Sequence, residues 1–156
     1  YSFLVALNPD GKEQLCYPGD PDQSPPSEAA LHFPLTAKNG FSLTDGVGLQ
    51  AFVVLASREP LPSYATWRSG IQSIPWSKTE APGAWRFDGN TLSPLGDLAK
   101  ERGPERPLRP AQPLNLLWEF FKSRREMDAI AGIAFPVLER PGRTQPSADP
   151  GADPGR

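Results

Sequence analysis

The sequence predicts an α+β fold, a mostly antiparallel β-sandwich of short strands with two helices packed at one side or end. Three observations predict it. Proline and glycine are abundant, 20 and 14 among 156 residues, so rigid or turned connections are frequent and a helix bundle is disfavoured. Several short runs alternate with period two. Only two stretches carry apolar residues at helical spacing.

The opening stretch reads as a β-hairpin. Tyr1, Phe3, Val5 and Leu7 alternate with Ser2, Leu4 and Ala6. Leu4 makes the second face apolar as well, so the strand is expected to be covered on both sides. Asn8-Pro9-Asp10-Gly11 supplies a fixed φ and a residue tolerant of φ > 0, which together make a turn. Residues 12–17 return with Leu15 and Tyr17 inward, and Pro18 ends the run. Residues 19–30 are polar and proline-rich, a surface loop. Residues 31–35 and 40–43 are brief strand candidates, and 44–48 a turn. Residues 49–57 form the most apolar run, expected to be a central strand buried on both faces.

Pro60 and Pro62 break that strand, and Pro62-Ser63 can start a helix with Tyr64, Trp67 and Ile71 on one stripe. Gly70 weakens this helix and Pro75 forbids its continuation. Residues 84–87 read as another strand before an Asp88-Gly89-Asn90 turn. Residues 101–113 are a Pro/Arg-rich connector. Leu114, Leu117, Trp118 and Phe121 then predict a helix over 113–127, with Glu119, Lys122, Ser123 and Glu126 on its polar face. Residues 129–139 are the last strand, and Pro136 inside it predicts an edge or a bulge. The chain thus divides into one domain over 1–139 and a disordered tail over 140–156.

The formal net charge is −2. Basic residues gather between 100 and 125, but Glu101, Glu105, Glu119 and Glu126 sit among them. This reads as a solvated mixed-charge surface, and nucleic acid is not an expected partner. No apolar run approaches the roughly 18 residues of a membrane span, and no signal peptide is evident. A single cysteine rules out an intrachain disulfide and a thiolate metal cluster, and suits a reducing compartment such as the cytoplasm. The strand that begins at Tyr1 reads as the start of a segment of a longer protein.

Catalytic chemistry finds little support. Cys16 and His32 are the one thiol and the one imidazole, a conceivable nucleophile pair. Cys16 sits between Leu15 and Tyr17, however, where a buried thiol behaves as a small apolar group. Ser57 lacks a Gly-x-Ser-x-Gly setting. Asp20 and Asp22 lie in a proline-rich loop without calcium-loop spacing, and "DGVG" lacks the rest of a phosphate cradle. No catalytic residue, metal site or cofactor is expected.

Trp67, Trp76 and Trp85 recur every nine residues, two of them followed by arginine. Such plates could stack on sugars or bases; large aromatic rings are also ordinary core material. Trp67 and Trp85 read as core. Trp76, between Pro75 and Ser77, is expected to be exposed and to mark a protein contact.

The hairpin with Asp10 and Gly11, the Tyr17-Pro18 pair, Gly48, the strand over 49–57 and the Pro60–Pro62 stretch resemble a family of uncharacterised bacterial accessory domains. Such domains are found beside caspase-like peptidases and eukaryotic-type Ser/Thr kinases. The resemblance spans about the first 62 residues and involves turns and core strands, so it transfers no active site. It implies a noncatalytic β-sandwich accompanying an effector or sensor domain.

The expectation is therefore an interaction or regulatory module whose partner is a protein or an upstream effector domain. Its binding residues are Trp76, Arg68 and Arg86, together with Arg102, Arg106 and Arg109 of the connector. The alternatives are a Cys- or Ser-dependent hydrolase and a carbohydrate-binding module using exposed tryptophan.

Overall fold

The structure, a computed structural model, describes residues 1–28, 46–78, 83–95 and 112–138. Its elements are β1 (Ser2–Leu7), β2 (Glu13–Tyr17), β3 (Gly48–Ala56), α1 (Tyr64–Ser69), β4 (Ala84–Asp88), β5 (Leu92–Leu95), α2 (Gln112–Lys122) and β6 (Ala129–Val137). The strands form one six-stranded sheet in the order β2-β1-β3-β6-β4-β5, every pairing antiparallel. This is the α+β architecture the sequence predicts, with helices supplying the second layer.

Local chemistry accounts for the hairpin. Gly11 N–H donates to the Asn8 carbonyl at 3.0 Å, and Gly11 takes φ +90°, a conformation that an L side chain would strain. β3, the expected central strand, is third in the sheet and pairs with β1 and β6 along its length. In α1, Ser63 caps the start, its Oγ accepting from Thr66 N–H at 3.3 Å, which satisfies one orphan donor of the first turn. The helix ends at Gly70, so Ile71 lies beyond it, half-buried against the core.

Cross-strand rungs show where the core sits. Phe3 faces Leu55, which faces Ile130. Val5 faces Val53, then Gly132, then Phe87. Leu7 faces Ala51, then Ala134, then Trp85. Tyr64 and Trp67 of α1 and Leu114, Leu117 and Phe121 of α2 are buried in the same cluster. Phe3 meets Tyr64 edge to face at 5.3 Å and Trp67 at 5.8 Å. Each such ring or aliphatic side chain stabilises the fold by about 1.5–3 kcal/mol through burial.

Gly132 is the one position in these rungs without a side chain. A Cβ there would stand 2.7 Å from the Phe52 carbonyl oxygen and 2.8 Å from Phe87 Cε1. The ring of Phe87 occupies the space that any larger residue would need.

Three boundaries differ from the expectation. The second helix ends at Lys122 and does not reach 127. Its last turn tightens, with Arg124 N–H donating to the Phe121 carbonyl at 2.9 Å, and the chain turns back so that Asp128 can enter β6. β5 was not foreseen, because four residues containing Pro94 carry little strand signal; among the described strands it is an edge, where proline is tolerated. β6 is central, yet Pro136 fits the reason given for an edge: β4 pairs only with Ala131–Ala134 and Asp88 with Ala131, so at Pro136 the neighbour is β3 alone. The strand candidates over 31–35 and 40–43, the connector over 101–113 except for Gln112 and Pro113, which open α2, and the tail over 140–156 lie outside the described residues.

Candidate functional site

Three strand termini meet at one end of the sheet, and their polar groups brace one another. Asp128 N–H donates to the Ala56 carbonyl at 2.8 Å, and Ser57 N–H to the Tyr1 carbonyl at 2.9 Å. The Asp128 carboxylate accepts from Arg58 N–H at 2.7 Å. Ser57 Oγ, in a buried residue, accepts from Glu59 N–H at 3.0 Å. These bonds fix the path by which the chain leaves β3 and enters Pro60-Leu61-Pro62. Across from it, Trp67 Nε1 donates to Glu126 Oε1 at 3.2 Å, tying α1 to the segment between α2 and β6.

Between these two braced segments lies an open groove of about 520 Å³. Leu61, Trp67 and Ile71 make its apolar floor, while Glu59, Arg125, Glu126 and Asp128 line its rim. A second groove of about 370 Å³ shares Ser57 and Asp128 with it and reaches Ser2, Glu28 and Val54. Volumes of about 300–1,000 Å³ with an apolar floor and a few polar groups are typical of ligand sites.

The groove's serine hydroxyl accepts a backbone N–H, and no histidine is among its lining residues. Among the described residues no three of His, Cys, Asp and Glu come together as metal ligands would.

Cys16 is half-buried, and its thiol donates to the Gln14 carbonyl at 3.7 Å. Burial pushes its pKa up, the direction opposite to that of an activated thiolate. His32 lies outside the described residues. Tyr17 is buried, and its hydroxyl has no hydrogen-bond partner among the described residues. Burial first and the Glu28 carboxylate second push its pKa up to about 12. The Tyr64 hydroxyl is raised further, by burial and then by the Glu13 carboxylate. Neither phenol is poised as a base near neutral pH.

Of the sequence-predicted binding residues, the three that are described, Arg68, Trp76 and Arg86, are not gathered in one place. Trp76 is buried, contrary to its expected exposure. The segment after α1 folds back over the hairpin turn, and Trp76 Nε1 donates to the Asn8 carbonyl at 2.8 Å. Arg68 is committed to structure: its Nε pairs with Glu13 Oε1 and its Nη1 donates to the Gln72 carbonyl at 3.3 Å, clamping α1 to β2. Arg86 is exposed on the sheet face opposite the helices, in the rung Ala6–Phe52–Ile133–Arg86. Arg102, Arg106 and Arg109 lie outside the described residues.

The tryptophans do not form the exposed stacking platform considered for sugars. Trp67, Trp76 and Trp85 are all buried. Trp118 is half-buried and donates its Nε1–H to the Asp88 carbonyl at 2.9 Å. The indoles of Trp67, Trp76 and Trp118 therefore act as clips between segments distant in sequence, each bond contributing about 1 kcal/mol.

None of the groove residues Glu59, Arg125, Glu126 and Asp128 is among the binding residues expected from the sequence, where Glu126 reads as part of a polar helix face. For Arg125, Glu126 and Asp128 the visible signal is the charged stretch Arg124-Arg125-Glu126-Met127-Asp128, which reads as helix end and strand entry; Glu59 carries none. Comparison with family models, curated proteins and solved structures finds no match, so the resemblance to accessory domains rests on the motif residues of the first 62 positions alone.

Proposed function

We propose that this chain is a noncatalytic interaction or regulatory module of a larger bacterial signalling or effector protein. The observation that carries this reading is the groove at the sheet end: an apolar floor ringed by charged side chains, whose serine and one of whose carboxylates brace the backbone. Such a surface binds through shape and charge and needs no reacting group. The partner is a protein, and the resemblance stated above nominates a caspase-like peptidase or a kinase domain carried by the same parent chain or operon. Nucleic acid is not a proposed partner, since a net charge of −2 gives no electrostatic basis for holding a polyanion. No described helix is long and apolar enough to cross a membrane.

Surface plasmon resonance with this chain immobilised and the neighbouring peptidase or kinase domain as analyte tests the reading. Saturable binding is expected, with at least about tenfold loss in Thr66→Trp, which fills the groove from an exposed position. Binding that Thr66→Trp leaves intact removes the groove from the account. Hydrolysis of a peptide or ester substrate that disappears in Cys16→Ala contradicts the noncatalytic reading.

A further inference from the structure

We infer that the groove receives a basic, extended peptide segment of the partner, with a lysine or arginine head among the rim carboxylates and its aliphatic stem on the apolar floor. This rests on the reading of the chain as an interaction module and names the chemistry of what it binds.

The first argument is charge. Three carboxylates, Glu59, Glu126 and Asp128, line the groove against one guanidinium, Arg125, an excess of two negative charges. Asp10 and Glu13 are neutralised within the chain, by Lys12 and by Arg68; what sets the groove apart is that three carboxylates gather in one place around an apolar floor. Among the described residues none of the three groove carboxylates is in an ion pair. Unneutralised carboxylates beside a low-dielectric wall attract a cation more strongly than the same groups in open water.

The second argument is the floor. Leu61 and Trp67 are buried and Ile71 is half-buried beneath the rim. Lysine and arginine carry three or four methylenes that lie along apolar surface while the head stays among polar groups. A bare inorganic cation would leave that floor unused, and the carboxylates do not converge as metal ligands.

The third argument is shape. The groove is open, about 520 Å³, and a second of about 370 Å³, with Glu28 and Arg58 among its lining residues, adjoins it at Ser57 and Asp128. An open groove of this kind accommodates consecutive residues of an extended chain better than a compact small molecule.

Fluorescence anisotropy of a short fluorescein-labelled peptide of alternating arginine and leucine tests the inference against an otherwise identical glutamate–leucine peptide. The expected result is saturable binding of the basic peptide. The Glu59→Gln/Glu126→Gln double variant, which keeps an acceptor for Trp67 Nε1–H, should weaken it about tenfold. The charge-matched control Asp20→Asn/Asp22→Asn should bind as the parent does, and circular dichroism should report the same fold for all three. Equal binding of both peptides, or basic-peptide binding unchanged in Glu59→Gln/Glu126→Gln, overturns the inference. If the partner domain still binds and is blocked by Thr66→Trp while the basic peptide fails, the basic occupant is wrong and the module reading stands. If Thr66→Trp blocks neither, both fall.

Discussion

The two faces of the sheet are made from alternate residues of the same strands, yet they are under different physical control. On the helix side, the rung Val5–Val53–Gly132–Phe87 leaves no room, and even a methyl at Gly132 would collide. On the opposite side, the rung Ala6–Phe52–Ile133–Arg86 ends in an exposed arginine, and Ile133 is 43% exposed. The difference teaches that burial by α1 and α2 specifies register. A one-residue slip would carry Phe3, Val5 and Leu7 away from the helices; on the opposite face Leu4, Ala6 and Tyr17 are buried at the β1–β2 side, and exposure is reached only towards Ile133 and Arg86. It also bears on the proposed binding surface: the groove lies at the sheet end, beside the segments that lead out of β3 and into β6.

Substitutions should separate the two faces by size of effect. Trp85→Ala, in the helix-side rung with Leu7, should cost about 3–5 kcal/mol in chemical denaturation, because a large ring leaves a cavity that its neighbours cannot fill. Gly132→Ala should cost about 1–3 kcal/mol by overpacking against Phe87 and the Phe52 carbonyl. A loss there as small as that of an exposed site would show that Phe87 can move aside and that the helix-side packing is looser than described. Ile133→Ala on the open face should cost about 1 kcal/mol or less, since little apolar area is lost from burial.

Titration gives a milder contrast at the two ends of one rung of the face opposite the helices, Tyr17–Leu4–Val54–Ala131–Asp88, buried at its Tyr17 end. Tyr17 has its pKa raised from 10.0 to about 12 in the folded chain. The stability tied to its neutral phenol is therefore present below pH 10 and lost as pH rises towards about 12. Tyr17→Phe should flatten the alkaline fall of the thermal midpoint. Asp88 behaves oppositely: N–H groups of Asn90 and then Thr91 hold its carboxyl below the ordinary 3.8. Its contribution is present above pH 3.8 and lost as pH falls through the lower folded value. Asp88 is half-buried at the end of β4 and its carboxylate is held by local turn hydrogen bonds, so Asp88→Asn should alter the acid limb only slightly.

Much of the scaffold was legible because its causes are local. The hairpin follows from Asn8-Pro9-Asp10-Gly11, and the central strand from β-branched and aromatic residues over 49–57. The second apolar face was visible in Leu4. What escaped depended on partners distant in sequence. Leu92–Leu95 becomes a strand because β4 offers it a ladder. Trp76 reads as a loop residue until Asn8, 68 positions earlier, accepts its N–H. The groove joins residues 57–62 to 125–128 through Arg58 and Asp128, which are 70 positions apart. No periodicity encodes that meeting. Once the helix stops at Lys122, Glu126 passes from a helix face to a groove rim.

The central claim is that binding occurs at the sheet end, over a scaffold whose tryptophans are otherwise spent on structure. The most direct test is a ¹⁵N–¹H correlation spectrum recorded while the partner domain is added. The account predicts that the Trp67 indole N–H and backbone amides over 57–71 and 125–128 shift, while the indole signals of Trp76, Trp85 and Trp118 stay in place. Shifts centred instead on Arg86, Ile133 and the open face, with Trp67 unmoved, would contradict it.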